Sequence, residues 1–194
     1  MVAALFIIDV QNDFTEGGAL GVDGGAAVAA GITDYLRANP DRYDVVIASR
    51  DWHDADNDNG GHFASDAEPN FVDTWPVHCV AGTPGAEYHP ALDTSLVGIH
   101  VRKGQGVPAY SIFEGTTDDD ETVPALLERL SVDTIDVVGI ATDYCVLASA
   151  LDAAGSGRDV SVLTGLVAGV APESSAAALA TMAESGISLV SREG

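Results

Sequence analysis

Cys145 stands where a thiol can do chemistry. It closes the stretch Asp136-Val137-Val138-Gly139-Ile140-Ala141-Thr142-Asp143-Tyr144-Cys145. The apolar run that begins near Ile135 and ends at Val138, closed by Gly139, reads as a buried strand. Past Thr142 the period changes. Val146, Leu147, Ala150, Leu151 and Ala154 recur at helical spacing, so a helix is expected to begin at Thr142 or Asp143, both good caps. Cys145 then falls in the first turn of a helix, just past the carboxyl end of a strand. Free N–H groups and the helix dipole there favour negative charge, which predicts a lowered thiol pKa and a nucleophile. The competing reading is a small core cysteine. The chain has one other cysteine, Cys79, and two thiols do not make a disulfide scaffold.

Two further groups share that rim. Asp9 follows directly on the apolar run 3–8 and is a candidate general base, the alternative being a helix cap or a loop carboxylate bonded to backbone. Lys103, the only lysine, stands just beyond a strand expected at 97–101. A solvated surface amine is the ordinary fate of a lysine, but a chain that discards every other one makes chemistry the better reading here.

A second set could hold a metal. Asp51 and His53 are two apart, so an extended backbone puts both side chains on one face. His62 and His78 follow in loops, so three of the five histidines lie within 28 residues of chain together with Asp51. One carboxylate and three imidazoles suit a divalent ion of the Zn, Fe or Mn type and leave room for water or substrate. Polar loop or capping roles are the alternative, and His89 and His100 are assigned to those. The segment 54–90, rich in Gly, Pro and Asp, is long for a loop, which points to function. The aromatic-bearing loop Pro108-Ala109-Tyr110-Ser111-Ile112-Phe113-Glu114-Gly115 could wall a flat ligand, the alternative being loop packing.

These residues need a scaffold. Strands are expected at 3–8, 43–49, 97–101, 135–138, 160–163 and 187–190, and helices at 26–38, 122–130, from 142 or 143, and at 173–185. The alternation predicts a three-layer α/β/α sandwich around a parallel sheet of six strands, Rossmann-type, in one domain over 1–194. Sites in such folds gather beyond the carboxyl ends of the strands.

Composition narrows the partners. A net charge of −22, from 30 acidic and 8 basic residues, makes nucleic acid and anionic membranes poor partners. A hydrophobic content of 46% is that of a folded globule, and no apolar run is long enough to span a membrane. No basic leader precedes the first strand, so a cytoplasmic protein is expected. Acid excess with lysine nearly absent points to a protein that works in concentrated salt, where screening removes self-repulsion. Whether the chain is a monomer or a homo-oligomer stays open.

Assembled, these residues resemble the nicotinamidase/pyrazinamidase group of the isochorismatase-like cysteine hydrolases, over nearly the whole length. The likeness rests on Ile8-Asp9-Val10-Gln11-Asn12-Asp13-Phe14, Asp51-Trp52-His53, Gly61-His62-Phe63, the run from Trp75 to Ala86, Lys103-Gly104, and Gly139-Ile140-Ala141-Thr142-Asp143-Tyr144-Cys145-Val146. The resemblance implies catalytic Asp9, Lys103 and Cys145, and one divalent metal ion on Asp51, His53, His62 and His78. It implies a cis peptide between Ile140 and Ala141 and an oxyanion hole from the N–H groups of Ala141 and Cys145. It further implies a substrate site lined by Phe14, Trp75, Tyr110 and Ile140, with nicotinamide hydrolysed through a Cys thioester in NAD salvage. Many relatives carry His before the nucleophile where this chain has Tyr144. Rival readings are an isochorismatase-type vinyl ether hydrolase, an N-carbamoyl amidohydrolase, or a non-catalytic metal- or ligand-binding protein on the same fold.

Overall fold

The computed structural model of the protein describes residues 1–65 and 68–191. Strands β1 (Val2–Ile8), β2 (Val45–Asp51), β3 (Ile99–Lys103), β4 (Thr116–Thr117), β5 (Val132–Ile140), β6 (Asp159–Ala168) and β7 (Ser188–Val190) form one sheet in the order β4-β3-β2-β1-β5-β6-β7. Every pairing is parallel except that of β4 with β3. Helix α1 (Gly25–Ala38) covers one face, and α2 (Val123–Arg129), α3 (Leu147–Gly155) and α4 (Pro172–Glu184) cover the other. The expected three layers are present, with seven strands instead of six. The extra strand is a two-residue antiparallel edge, too short to carry an alternating pattern in the sequence.

The two cores follow from strand alternation. Ala4, Phe6, Ile8, Ile135 and Val137 point toward α2, α3 and α4, whereas Leu5, Ile7, Val138 and Ile140 point toward α1. Burial on both faces explains why β1 and the middle of β5 read as unbroken apolar runs. Gly139 is required by close approach. It sits at φ 118°, and a Cβ there would lie 2.1 Å from the Ile8 carbonyl oxygen. β1 and β5 are thereby drawn together at the point where the chain continues to Asp9 from the one and toward Cys145 from the other.

Two strands end later than their apolar patterns do. β2 runs on through Ser49, Arg50 and Asp51, and β3 through Arg102 and Lys103. Lys103 is therefore the last residue of its strand, not the residue beyond it. The polar side chains at both ends are buried because they satisfy one another, a compensation that hydropathy alone does not register. Past β5 the chain makes a single π-helical turn, Thr142–Val146, before α3 begins at Leu147. Val146 N–H donates to the Ala141 carbonyl, five residues back, at 3.0 Å. Such widened turns recur at functional sites. No helix among the described residues is long and apolar enough to cross a membrane.

Candidate active site and metal centre

The strand order reverses between β1 and β5, so the crevice at their carboxyl ends is a switch point of the kind that binds ligands in open α/β sheets. Asp9 leaves β1 there, at φ 48°, and Cys145 enters from the turn after β5. β2 and β3 add Asp51 and Lys103, which face each other in register. All four lie buried.

Lys103 is the hub. Its Nζ lies 2.9 Å from Asp9 Oδ2 and 3.7 Å from Cys145 Sγ, and it donates to Asp51 Oδ1. Burial opposes its charge, but Asp51 and Asp9 outweigh burial and hold its pKa well above the ordinary lysine value. Asp51 goes the other way. Burial would raise it, yet Lys103, His53 and His78 together pull its carboxyl well below the usual range. Asp9 is pushed up, first by burial and then by Asp51, against the pull of Lys103. Ser49 Oγ donates to Asp9 Oδ1 at 2.7 Å, while Oδ2 has no well-directed hydrogen-bond donor. Asp9 Oδ2 thus meets the Lys103 ammonium, and its carboxyl is raised toward the range in which a carboxylate can take and return a proton.

The thiol departs from expectation. Burial drives its pKa well above the ordinary cysteine value; Lys103 works against this, and Asp9 and Asp51 reinforce it. Desolvation and two carboxylates exceed what the helix start supplies, so the resting group is a thiol beside the Asp9 carboxyl. Among the described residues, no backbone carbonyl outside the π-helical turn accepts the N–H of Ala141 or of Cys145. The peptide bond between Ile140 and Ala141 is cis, as expected.

His53, His62 and His78 come together as a buried group whose ligand nitrogens lie within 4.8 Å of one another. His53 Nδ1 meets the Gly104 carbonyl at 2.7 Å and His78 Nδ1 the Pro76 carbonyl at 2.7 Å. Each carbonyl fixes a tautomer with the lone pair on Nε2, the usual device for orienting metal-binding imidazoles. Gly104 is needed beside the first ring, since a Cβ there would lie 2.5 Å from His53 Cε1. His53 Nε2 and His62 Nδ1 are buried without partners. Burial, with His53 and His78 nearby, holds the His62 pKa down to about 4, so that its ring is neutral at pH 7. Unpartnered buried nitrogens are costly, on the order of 1–3 kcal/mol each, unless a Lewis acid binds them. Asp51 stands apart from the three-histidine group but faces it, with Oδ2 3.6 Å from His53 Nε2 and 3.8 Å from His78 Nε2. This donor set fits a divalent ion of the Zn, Fe or Mn type.

A cavity of about 370 Å³ opens between Cys145 and the imidazoles, with Phe14, Phe71, Trp75, Tyr110 and Tyr144 on its walls. Trp75 Nε1 donates to the Tyr110 hydroxyl at 3.0 Å, and Tyr144 stacks on Tyr110 with ring centroids 6.3 Å apart. Trp75 meets Tyr144 edge-on at 5.2 Å. The volume and flat walls suit a single aromatic ring.

One expected lining residue is elsewhere. The Ile140 side chain is 1% exposed and packs in the core beneath α1, on the same face as Val138, so it does not line the cavity. Residue parity along β5 could have placed it there. Other contributors were not singled out from the sequence. Gln11 is fully buried, donates to the Asp51 and Ala86 carbonyls at 2.9 Å each, and accepts the Asp51 N–H at 2.8 Å. Ser49, Phe71 and Val170 also join the site. The one available signal was the two-residue period that puts Ser49 on the face of Asp51.

The Isochorismatase domain matches residues 3–194. The nicotinamidase/pyrazinamidase of Mycobacterium tuberculosis is 46% identical over 187 residues, covering 96% of this chain and 97% of that protein. Among solved structures, pyrazinamidase of Pyrococcus horikoshii in complex with zinc superposes with a TM-score of 0.83 at 36% identity, covering 99% of this chain and 100% of the other. PnC1 of L. infantum in complex with nicotinate gives a TM-score of 0.83 at 31% identity, covering 98% and 92%.

Proposed function

The chain belongs to the isochorismatase-domain family, and on that premise we propose that it is a nicotinamidase, hydrolysing nicotinamide to nicotinate and ammonia and pyrazinamide to pyrazinoate. The observation that carries the reading is the convergence on Lys103 Nζ of Asp9 Oδ2 at 2.9 Å and Cys145 Sγ at 3.7 Å, at the floor of an aromatic-walled cavity.

In this reading the pyridine ring lies between the aromatic walls with its carboxamide over Cys145. Asp9 takes the thiol proton, and Lys103 offsets the charge on sulfur as it attacks the amide carbon. The C–O double bond opens, and the oxygen's negative charge is held by the N–H groups of Ala141 and Cys145. Asp9 returns the proton to nitrogen, the C–N bond breaks, and ammonia leaves a thioester on Cys145. Asp9 then takes a proton from water as it attacks the thioester. The C–S bond breaks, Asp9 returns that proton to the sulfur, and nicotinate leaves with the thiol restored. The elevated resting thiol pKa is compatible with this order, because proton transfer and attack are coupled within one buried cluster.

His53, His62 and His78, with Asp51 beside them, would hold a divalent ion. When bound, that ion supplies a Lewis-acid anchor for a ring nitrogen of the substrate. Return of nicotinate toward NAD is the metabolic role that follows, in the cytoplasm.

The test is ammonia release from nicotinamide, with mass spectrometry of the quenched enzyme for an acyl adduct on Cys145. Activity without any adduct under single-turnover conditions would count against the thioester. Chelation is expected to raise KM at least as strongly as it lowers kcat. An unchanged KM would remove the anchoring role and leave the rest of the sequence of steps intact.

A further inference from the structure

We propose that Trp52 is a positioning residue for the Asp51–His53–Lys103 cluster, acting as a cation–π spacer between two guanidinium groups that the strand register forces together. The proposal builds on the metal-site reading above.

Strands β2 and β3 pair with Asp51 opposite Lys103 and, one step earlier, Arg50 opposite Arg102. Side chains alternate along a strand, so the register that joins the carboxylate to the amine on one face sets two cations against each other on the opposite face. Like charges directly across a strand pair push it apart. The chain holds only eight basic residues, and it spends two of them here, at the strand ends that must stay closed for the site to exist.

Trp52 follows Asp51 and falls on the face of Arg50. Arg50 Cζ lies 4.7 Å from the Trp52 ring centre and Arg102 Cζ lies 4.8 Å from it. The Tyr88 ring also lies against Arg50, with its centre 4.7 Å from Cζ. The indole turns a repulsive pair into two cation–ring attractions, the contact to which a planar guanidinium is best suited. The acids that reach the same arginines, Glu87 at 2.8 Å and Asp118 at 3.2 Å, have side chains 53% and 63% exposed and are screened by salt. Nε of each arginine is buried without a partner, so the ring contact is the interior interaction both share. The Trp52 N–H donates to the Lys103 carbonyl at 2.8 Å and adds the last rung of the β2–β3 ladder. His53 comes next. Loss of the indole therefore releases the repulsion on the segment that carries Asp51, His53 and Lys103.

The test has a signature that simple packing loss does not share. Titration with Co²⁺ alone, read by visible absorption, is expected to show Trp52→Ala binding about tenfold more weakly than wild type, as for other residues that orient metal ligands. Trp52→Phe keeps a ring and is expected to stay near wild type, which also covers the case in which the Ala variant folds poorly. Adding Arg102→Gln to Trp52→Ala removes one of the repelling charges and is expected to restore most of the lost affinity. Wild-type affinity in Trp52→Ala, or no recovery in the double variant, would overturn the proposal. His53→Ala serves as the reference for the metal site. If wild type and His53→Ala take up Co²⁺ alike, the metal reading fails. The spacer is then judged on metal-free protein by amide exchange at position 52. Protection there should drop in Trp52→Ala and return in the double variant, and unchanged protection would overturn the proposal.

Discussion

Cys145 and Cys79 are both buried, and burial drives both thiols well above the ordinary pKa, yet they sit in different chemistries. Cys145 has Lys103 Nζ at 3.7 Å, Asp9 as a hydrogen-bonding neighbour, and a cavity in front of it. Cys79 is 0% exposed, its Sγ rests 4.0 Å from the Gly85 carbonyl, and Asp51, Asp13 and Asp9 raise its pKa further while Lys103 contributes least. Burial therefore does not distinguish the two thiols. A cation in contact, a neighbouring carboxylate and an open approach do, and of the two only Cys145 has all three.

Deletion of each sulfur draws that contrast most sharply. Cys145→Ala is expected to reduce kcat for nicotinamide by at least about a thousandfold, the scale on which nucleophile removal acts in hydrolases. Cys145→Ser keeps a trace of turnover at most. Measurable ammonia release from the Ala variant at a tenth of the wild-type rate would end the nucleophile assignment.

Lys103→Met removes the cation that separates the two sites. Asp9 and Asp51 would then share a buried space without compensation, and breaking such a pair costs about 3–5 kcal/mol. Urea unfolding reads the loss. Adding Asp51→Asn removes one of the stranded charges and is expected to recover part of it. A Lys103→Met protein with wild-type stability would mean that the amine does not hold the carboxylates together.

Alkylation by iodoacetamide tests the pKa difference from the sequence expectation. A raised pKa means less thiolate at any given pH. The rate at Cys145 is therefore expected to climb through pH 7 to 9 without levelling, and Cys79 is expected to stay unreacted until the protein unfolds. A plateau near pH 7 would restore the thiolate that the helix start alone suggested.

The legible parts of the molecule are those where one local rule sets the outcome. Residues 3–8 are apolar because β1 is buried on both faces, and Gly139 with the helical spacing after Thr142 marks the passage from strand to helix. Asp51 and His53 share a face because strands alternate. Elsewhere several weak terms compete. β2 and β3 carry buried charge at their ends, so their last residues look like loop. β4 has two residues and no pattern. The resemblance implies Ile140 in the substrate wall, although its parity with Val138 sends it to the core. The thiol expectation counted the dipole of a helix start and omitted the desolvation and the paired carboxylates, which only the fold brings within reach.

The smallest effect is expected where the comparison is most easily broken. Cys79 shapes its surroundings through backbone groups. Its N–H donates to Asp13 Oδ2 at 2.7 Å, and its carbonyl accepts the His53 N–H at 3.0 Å. Cys79→Ala leaves both in place and removes one buried sulfur, so it is expected to lower stability by about 1 kcal/mol and to leave kcat and KM within a factor of two. Cys79 lies at φ 46°, where a β-carbon is unfavourable, so Cys79→Gly regains through relief of that strain part of what it loses in packing. The two variants should therefore have similar melting temperatures. If Cys79→Ala instead cut turnover tenfold with Co²⁺ affinity unchanged, the second thiol would belong to the chemistry, and the division between the two cysteines would have to be redrawn around His78.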